Sequence, residues 1–351
     1  MTGDVKKIQV DQLRVYCKIL FEKAGVPEDE ANIIADSLLE ADLAGVESHG
    51  LSRVSVYLKK LRAGGACPAV ALKTIVDGPG TGVYDAGNSL GAPAAHKVME
   101  IAIEKAKKVG ISFVTVMNSS HYGTAAYFAK MALAHDMIGL SATNAFATMA
   151  PWGGKVPFFG TNPFAVAIPA CKQLPIVADM ATSVVARGKI TMALKKNQSI
   201  PLGWAKKKDG EDTTDPREAL QGTVLPFAGP KGSAIATIIE ALTGVLSGSV
   251  FGPQIISITN AAIPSRVSHC FMAINLAAFG PVGEFKERID QMILGIKSTP
   301  KTKDVEEIFL PGEIEERRKR QQLKDGIPLA RVTLDELKRE GEACGIPYTL
   351  E

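Results

Sequence analysis

The order of secondary-structure patterns along the chain limits its fold more than any other feature of the sequence. From about Leu72, short β-branched runs alternate with alanine-rich helical stretches, as in ISFVTVM (111–117), YFAKMALAHD (127–136) and IGLSAT (138–143). This alternation is typical of an α/β core. Before Leu72 and after Gly283 the sequence instead favours helices. We therefore predict a helical domain from residues 1–73 plus 284–351, and an α/β domain of residues 74–283.

Individual elements can be predicted within this outline. Further strands are expected at 164–169, 174–180 and 270–275, and a helix from about Ser233 to Leu246. In the first helix Leu13, Tyr16 and Leu20 recur at helical spacing and should face the core, between Asp11 as a candidate N-cap and Gly25 as a candidate C-terminal stop. Pro27 then opens a second helix.

Composition and charge exclude several classes of protein. The 351 residues carry a net charge of only +3 with both signs interspersed, which does not favour a nucleic-acid-binding protein. The basic run 317–320 follows three glutamates and is best interpreted as a solvated helix face, with a polyanion site as the alternative. No window approaches the ~18 apolar residues of a membrane span, and the N-terminal residues lack a signal core. We therefore expect a cytoplasmic protein that binds neither membrane nor nucleic acid.

The cysteines favour a reducing compartment. There are five, an odd number, and they are widely spaced, with no CxxC pair and no histidine at metal-ligand spacing. We expect buried thiols without disulfides, and no metal site.

A glycine fingerprint for dinucleotides is missing. Gly78, Gly80 and Gly82 come closest, but Pro79 interrupts them and VYDA follows as a second strand, which predicts a hairpin turn. The segment GPKGS (229–233) also lacks the spacing of a phosphate loop. The sequence therefore disfavours a Rossmann enzyme.

The segment ESHGLSRVSVYL (47–58) contains the first candidate site. If it is helical, His49, Arg53 and Tyr57 project from one face at steps of four residues. An imidazole, a guanidinium and a phenol together suit a 2-oxo or 2-hydroxy acid, because arginine can grip the carboxylate while histidine transfers a proton. The alternative is an amphipathic surface helix, and Gly50 weakens the helical assumption.

His121 is the second candidate. It lies in NSSHYGTAAYFA (118–129), after a predicted strand and before a predicted helix. Loops that follow strands in α/β cores often display catalytic side chains, and a neutral imidazole there could exchange a proton with a carbinol oxygen. The alternative is a loop histidine that caps the helix. His96, His135 and His269 have no such companions and are interpreted as structural or surface residues.

Three polar loops could hold a nucleotide without a fingerprint. They are 150–169, which is rich in glycine and proline, 177–183, which ends a strand at Asp179, and 225–236, where Lys231 and backbone amides begin a helix. The start of that helix is a suitable anion site through the helix dipole. Taken singly, each loop is better interpreted as an ordinary turn than as a ligand site.

In this fixed order the segments resemble the type-2 malate/lactate dehydrogenase family, which includes ureidoglycolate, sulfolactate and diketogulonate enzymes and the cyclic imino-acid reductases. The resemblance runs from ADLAGVESHGLSRVSVYLKKLRAGG through NSSHYGTAAYFAKMAL, APWGGKVPFFGTNPFAVAIP, VADMATSVVARGKI and LPFAGPKGSA to LPGEIEERRKR. It implies an α/β fold with a non-Rossmann NAD(P)-binding domain, a helical domain built from both termini, and a homodimer with the site near its interface.

The resemblance also implies roles for individual residues. His121 matches the histidine assigned as general base in ureidoglycolate-type members, and His49 matches the SHG histidine named as proton donor in some members. We expect His121 to transfer the proton, with His49 hydrogen-bonding the substrate oxygen or exchanging that role. Arg53, with Ser48 and Tyr57, should bind the carboxylate substrate. The implied nicotinamide contacts are Asn144, Ala145, Pro175, Asp179, Met180, Ala181, Pro230, Lys231, Gly312 and Glu313.

Two segments depart from the family pattern. AGPKGSA stands where many members have a tyrosine-containing segment, and ITNAAIPSRVSHCFMAIN replaces a more acidic stretch. The second change leaves Asn260 where an acid is expected, so its effect on substrate choice is open.

The resulting expectation is reversible hydride transfer between NAD(P) and a small 2-hydroxy acid, without a metal. The alternatives are an NADPH-dependent reductase of a cyclic 2-imino acid and a catalytically silent homologue. Arg187, Lys189 and the cluster at Arg317 are candidates to bind the 2′-phosphate of NADP. Glu313 favours NAD, because its carboxylate could bind ribose hydroxyls and repel a phosphate.

Overall fold

The computed structural model describes residues 5–195 and 197–350. Its helices and strands follow the predicted alternation, with helices at both ends of the chain. The helices are α1 Val10–Lys23, α2 Glu28–Leu43, α3 Val54–Arg62, α4 Gly91–Val109, α5 Ala125–Ala129, α6 Arg187–Lys195, α7 Pro216–Gln221, α8 Pro230–Glu240, α9 Val282–Lys297, α10 Glu313–Asp325 and α11 Arg331–Ala343. The strands are β1 Val5–Ile8, β2 Lys73–Asp77, β3 Thr81–Asp85, β4 Ile111–Ser119, β5 Met137–Thr143, β6 Phe164–Ile168, β7 Ile176–Met180, β8 Ala205–Lys206, β9 Thr223–Val224, β10 Val267–Asn275 and β11 Ile327–Ala330.

A seven-stranded mixed sheet forms the centre of the fold. Its strand order is β2-β3-β4-β10-β5-β6-β7, so β10 pairs with both β4 and β5. The pair β3-β4 is parallel, and the other neighbours in this sheet are antiparallel. A Rossmann sheet is mostly parallel. The prediction of a non-Rossmann α/β fold is therefore confirmed.

Each face of the sheet packs against helices. On one face α4 buries an alanine-rich stripe, including Ala94, Val98 and Ala102, against β4 and β10. On the other face Ile239 of α8 packs with Ala142 and Cys270. Because successive side chains of a strand point to opposite faces, β10 places Cys270 in one layer and Phe271 in the other.

The two ends of the chain meet. Strand β1 pairs antiparallel with β11, and the hydroxyl of Tyr16 donates to the carbonyl of Leu337. Helix α11 packs on α3, where Arg62 forms an ion pair with Glu340. Buried residues connect these terminal helices to the α/β sheet in one continuous apolar cluster. The division into two domains at residues 73/74 and 283/284 stays a prediction.

A small lobe, residues 183–226, was not predicted. It contains α6, α7, β8 and β9, and it has its own core of Val185, Ile190, Ile200, Ala205, Ala219 and Val224. Its segment IPLGWAKKKDGEDTTDP is rich in turn residues, so periodicity gave no signal there. At the base of the lobe Val184 donates its amide to the carbonyl of Leu225, which pairs the two segments that enter and leave it.

Several local predictions need correction. Helix α8 begins at Pro230 rather than Ser233, and it continues into a π-helical turn, Ala241–Val245. The stretch 127–136 is the end of α5 followed by a 3-10 helix, Lys130–His135. Gln9, not Asp11, occupies the N-cap position of α1, and its side chain makes no capping bond. The hairpin around Pro79 is confirmed, because Gly78 donates its amide to the carbonyl of Thr81.

The thiols are only partly as expected. All five cysteines are free, and Cys17 and Cys270 are buried. Cys67 and Cys171 are exposed, so the expectation of buried thiols is wrong for these two. Among the helices of residues 5–195 and 197–350, none is long and apolar enough to cross a membrane.

Candidate active site

The turn that carries His49 is not the helix that the spacing suggested. Two 3-10 turns, Glu47–His49 and Leu51–Arg53, precede α3, so the one-face helical interpretation is wrong. Gly50 separates them, and a Cβ at this position would lie 2.0 Å from Oδ1 of Asp42. The carboxylate of Asp42 also accepts the amide of Leu51 at 2.7 Å. The buried Asp42, whose pKa burial raises to about 7, therefore fixes the turn.

Backbone geometry, rather than a helix face, brings the substrate-binding candidates of this turn together. The side-chain oxygen of Ser48 lies 2.9 Å from Nδ1 of His49. Nε of Arg53 donates to the carbonyl of Ser48 at 2.5 Å, which anchors one side of the guanidinium. Within residues 5–195 and 197–350, Arg53 has no carboxylate partner. Its two terminal nitrogens are thus available to an anionic ligand.

His121 meets this turn from the end of β4. Its Nδ1 lies 2.7 Å from the hydroxyl of Tyr57, and the amide of Gly123 donates to the same nitrogen at 3.3 Å. Because an amide can only donate, Nδ1 is an acceptor and the neutral ring carries its hydrogen on Nε2. The rings of His121 and His49 are stacked with centroids 5.3 Å apart. Tyr57 and His121, which are 64 positions apart in the sequence, thus belong to one cluster with His49.

The helix-capping alternative for His121 is wrong. Thr124 is the N-cap of α5 and makes no side-chain cap bond. The amide of Ala126 in the first turn donates instead to Oδ2 of Asp179, at 2.8 Å.

Both imidazoles of the cluster are neutral at pH 7. Burial lowers the pKa of His49 to about 4, and the nearby guanidinium of Arg53 adds to the effect. Burial also holds the pKa of His121 well below its usual value, assisted by His49 and Arg53. Burial raises the pKa of the Tyr57 hydroxyl, so this group stays protonated and donates to His121.

A third histidine, His269, lies behind the cluster. Nδ1 of His269 lies 2.7 Å from the hydroxyl of Thr143, and Nε2 lies 2.9 Å from that of Ser119. The ring of Tyr122 stacks on it, with centroids 4.4 Å apart and planes 5° from parallel. Protein groups thus occupy both ring nitrogens, which fits the structural role predicted for His269. This packing fixes the end of β4, the strand that leads directly into His121.

Four segments proposed to bind cofactor converge along β7. Val177 donates its amide to the carbonyl of Pro311, and Gly312, at φ +94°, lies so close that a Cβ would be 3.0 Å from Val177. Just after the strand Thr182 donates its amide to the carbonyl of Thr161, and its own carbonyl accepts the amide of Phe227. The predicted contacts Pro175, Asp179, Met180, Ala181, Pro230, Lys231, Gly312 and Glu313 therefore lie in neighbouring segments.

At the start of α8 the group available to bind an anion is the side chain of Lys231 rather than the backbone amides. Gly232 and Ser233 donate their amides to the carbonyls of Phe227 and Gly229, so the first turn is largely satisfied. Lys231 is exposed and forms no ion pair within the described part of the chain. Near the end of β7, the pKa of Asp179 is raised to about 6, because neighbouring protein atoms displace water from around its carboxylate.

Asn144 is predicted to contact the nicotinamide, but its side chain is hydrogen-bonded within the protein. It is 1% exposed, and its side chain donates to Glu240 and accepts the amide of Ser268. Its neighbour Ala145 donates its amide to the side chain of Asn162. Both side-chain ends of Asn144 are therefore engaged within the protein, and its contact with the nicotinamide stays a prediction.

The argument for NAD from Glu313 loses its support. This side chain is 8% exposed, accepts the amide of Leu310 at 3.0 Å, and forms an ion pair with Lys297 at 2.8 Å. Its carboxylate is an N-terminal anchor of α10 and is not open to ribose hydroxyls.

Sequence reasoning missed two buried groups that shape the site, Asp42 and Lys60. The fully buried Lys60 of α3 donates to the carbonyls of Asn260 and Ile263, at 2.9 and 2.7 Å. Asn260, the departure from the family pattern, therefore lies against the helix that carries Tyr57. Lys60 follows Arg53 at a spacing of seven residues, and this periodicity was a signal that could have found it.

The chain matches one protein family over most of its length. The family model described as malate/L-lactate dehydrogenase matches residues 8–338. The chain belongs to this family. The family predicted from the motifs is thus confirmed, and members of it are enzymes rather than binding modules.

Relatives cover nearly the whole chain. The L-sulfolactate dehydrogenase of Methanocaldococcus jannaschii is 40% identical over 341 residues, which are 97% of this chain and 96% of the relative. The malate dehydrogenase of Pyrococcus abyssi is 39% identical over 348 residues, 97% and 95% of the two chains. The structure of the Methanocaldococcus jannaschii enzyme superposes with a TM-score of 0.92 at 38% identity, over 97% of this chain and 98% of the other.

Proposed function

We propose that this protein catalyses reversible hydride transfer between NAD or NADP and C2 of a small 2-hydroxy acid. The observation that carries the proposal is the cluster of His49, Arg53, Tyr57 and His121, in which a free guanidinium lies beside two neutral imidazoles. Membership in a family whose relatives are named malate, sulfolactate and ureidoglycolate dehydrogenases supports it.

Substrate binding is assigned to Arg53 and Ser48. A carboxylate has two oxygens that match the two terminal nitrogens of a guanidinium, and a bidentate pair fixes orientation as well as position. Arg53 is already oriented by its bond to the carbonyl of Ser48. A substrate carboxylate held there brings its C2 oxygen toward the stacked rings of His49 and His121.

Proton transfer is assigned to His121. Its Nε2 has no partner among the residues that the structure describes, so it is the ring atom that meets the substrate oxygen. In reduction the Nε2 hydrogen passes to the oxo oxygen while Nδ1 takes up one proton from solvent, so the ring ends neutral and Tyr57 keeps its proton. In oxidation the hydroxyl proton of the substrate enters at Nε2 of the ring that carries its hydrogen on Nδ1, and the Nδ1 proton leaves to solvent. His49 hydrogen-bonds the same oxygen or exchanges this role.

The segments along β7 fit a dinucleotide. Lys231 supplies a cation at the positive end of α8, suited to a pyrophosphate, while Gly312 lies against Val177 of β7 and Ala145 lies against Asn162 just before β6. The bound nicotinamide supplies or accepts the hydride. Met180 and Ala181 would contact it where β7 approaches the loop of His121.

We also propose a cytoplasmic homodimer. Support comes from exposed apolar side chains along α8 and its π-helical continuation, namely Ile238, Leu242, Val245 and Leu246. Such a stripe is typical of an interaction surface. Light scattering over a dilution series measures the oligomeric state, and a monomer at all concentrations would contradict the proposal.

Steady-state kinetics tests the proposed reaction. NADH and NADPH oxidation is followed with a panel of small 2-oxo acids and cyclic 2-imino acids. We expect turnover of an oxo acid, and the panel decides between the two cofactors. Turnover confined to the imines would show that the histidines protonate nitrogen instead. No turnover, together with no cofactor binding by titration, would identify a catalytically silent homologue.

A further inference from the structure

The carboxyl group of Asp42 lies between the two turns that carry His49 and Arg53. Asp42 belongs to α2 and is 2% exposed. Its Oδ2 accepts the amide of Leu51 at 2.7 Å. A Cβ added to Gly50 would overlap all three terminal atoms of Asp42, namely Cγ, Oδ1 and Oδ2. One side chain of α2 therefore contacts the two residues at which the second turn begins.

The glycine at position 50 is required by this contact and not by its backbone conformation. Its φ of −91° is negative and is open to residues that have a side chain. The space for a Cβ is instead taken by the carboxyl group of Asp42. Asp42 and Gly50 are therefore a matched pair, in which the missing side chain of one leaves room for the carboxyl group of the other.

Backbone hydrogen bonds connect this pair to both candidate side chains. The amide of Arg53 donates to the carbonyl of Gly50 at 2.9 Å, and the amide of Gly50 donates to the carbonyl of Glu47 at 3.3 Å. His49 is covalently joined to Gly50 on its other side. A movement of Gly50 therefore changes the position of Arg53 relative to His49.

Packing alone does not explain a carboxylate at position 42. The acids of α2 that form ion pairs among the described residues are Glu28, Glu30, Asp36 and Glu40. Asp42 is not one of them, and a buried carboxylate without a cation lowers stability. A leucine would fill a similar volume without that penalty, but it could not accept the amide of Leu51. The carboxylate therefore stabilises this particular turn at a cost to the protein as a whole.

We propose that Asp42 is a positioning residue for substrate binding. Its carboxyl group, packed against Gly50, sets the distance between the imidazole of His49 and the guanidinium of Arg53, and thereby how a 2-hydroxy acid fits between them. The inference rests on the proposed function and adds a residue that acts without touching the substrate. It also gives α2, a helix of the N-terminal region, a part in the site.

The first test replaces Asp42 in two ways. Asp42→Leu removes the acceptor and should lower kcat/KM for the oxo acid by at least about tenfold, since a misplacement of about 1 Å in a site can cost about 100-fold. Asp42→Asn keeps an acceptor oxygen for the amide of Leu51 and should stay within about threefold of wild type. KM for the cofactor, which is proposed to bind along β7, should be unchanged in both. An Asp42→Asn enzyme as impaired as Asp42→Leu would overturn the proposal, because the site would then depend on the charge and not on the position of the turn.

Glu30→Leu is the matched control. Glu30 lies in the same helix, is 5% exposed and accepts the amide of Val70 at 3.0 Å, away from the turns of His49 and Arg53. This variant should lower the unfolding midpoint but keep the kcat/KM of wild type. Equal losses of kcat/KM in Glu30→Leu and Asp42→Leu would show that the buried acids of α2 only support the fold.

A second-site test uses the fit between Asp42 and Gly50. Gly50→Ala places a methyl group against the carboxyl group and should lower kcat/KM by at least about tenfold. Asp42→Ala removes Cγ and both oxygens, so the methyl group of Gly50→Ala then has room. The double variant should therefore be no worse than Asp42→Ala alone, which is strong non-additivity. Losses that multiply in the double variant would contradict the proposal, because the two positions would then act independently.

Histidine NMR reads the placement without turnover. The chain has five histidines, and the ring signals of His49 can be assigned from a His49→Gln variant. These signals should shift in Asp42→Leu and stay unchanged in Glu30→Leu. They should also shift in Gly50→Ala, which keeps the test if Asp42→Leu does not fold. A shift in a protein that turns over no oxo acid would support the positioning while the proposed function fails, whereas unshifted signals in both variants would overturn the positioning.

Discussion

His121 and His269 are both enclosed, neutral histidines at the same end of the central sheet, yet their surroundings differ in one decisive way. Hydroxyl groups of Thr143 and Ser119 occupy both nitrogens of His269. In His121, Tyr57 and Gly123 meet on Nδ1 only, and Nε2 is left for a ligand. Burial alone therefore does not identify a catalytic histidine, whereas a free ring nitrogen beside an unpaired guanidinium does.

The largest expected effect is on catalysis by His121→Ala. Removing a general acid–base should lower kcat/KM by at least about 100-fold, since such groups contribute roughly 10² to 10⁴. Steady-state kinetics measures the loss, and the unfolding midpoint should stay close to that of wild type. His135→Ala, at an exposed histidine, is the control. Near-normal activity of His121→Ala would show that His121 is not catalytic, so that it would not differ from His269 in function.

Replacement of His269 should act on stability instead. His269→Phe keeps an aromatic ring to stack on Tyr122 but leaves the hydroxyl of Ser119 without its partner, whereas the hydroxyl of Thr143 keeps the carbonyls of Asn144 and Ser268. A buried polar group without a partner costs about 1 to 3 kcal/mol, so we expect a loss of that size in the free energy of unfolding. Urea denaturation measures it. A large fall in kcat at unchanged stability would mean that His269 belongs to the catalytic machinery.

The pH dependence of stability should also report on His269. Burial lowers its pKa to about 3 from the usual 6.5, so the unfolded chain binds the proton more readily between these values. Its contribution is present above pH 6.5 and is lost as the pH falls toward 3. Between pH 7 and pH 5 this linkage amounts to about 2 kcal/mol of unfolding free energy. His269→Phe should reduce the slope of stability against pH, and an unchanged slope would contradict the assignment.

The smallest expected effect belongs to Tyr57→Phe. This change removes the hydroxyl that donates to His121 and leaves the amide of Gly123 as the second donor to Nδ1. Loss of one hydrogen bond of about 1 kcal/mol predicts a decrease of about fivefold in kcat/KM. Arg53→Lys, measured in parallel, should mainly raise KM for the oxo acid. A loss in Tyr57→Phe as large as that in His121→Ala would show that Tyr57 is itself an obligatory proton donor.

Local patterns predicted the elements better than the site. Alternation of β-branched and alanine-rich runs located β4, β5, β6, β7 and β10, because strand and helix periodicities are properties of short segments. Helical spacing failed for residues 47–53, because Asp42 occupies the space beside Gly50 and breaks the helix there. The lobe of residues 183–226 escaped detection, since its short elements are separated by turns.

The sequence by itself determined the family, the α/β class and the absence of a glycine fingerprint. It also singled out the candidate site residues His49, Arg53, Tyr57 and His121. Each of these is written in local motifs or in their order. Only the tertiary structure decided which of those side chains share a site, which nitrogen of His121 is free, and that Glu313 and Asn144 are already engaged. These facts depend on contacts between residues far apart in the chain, whose desolvation and hydrogen bonds no local pattern encodes.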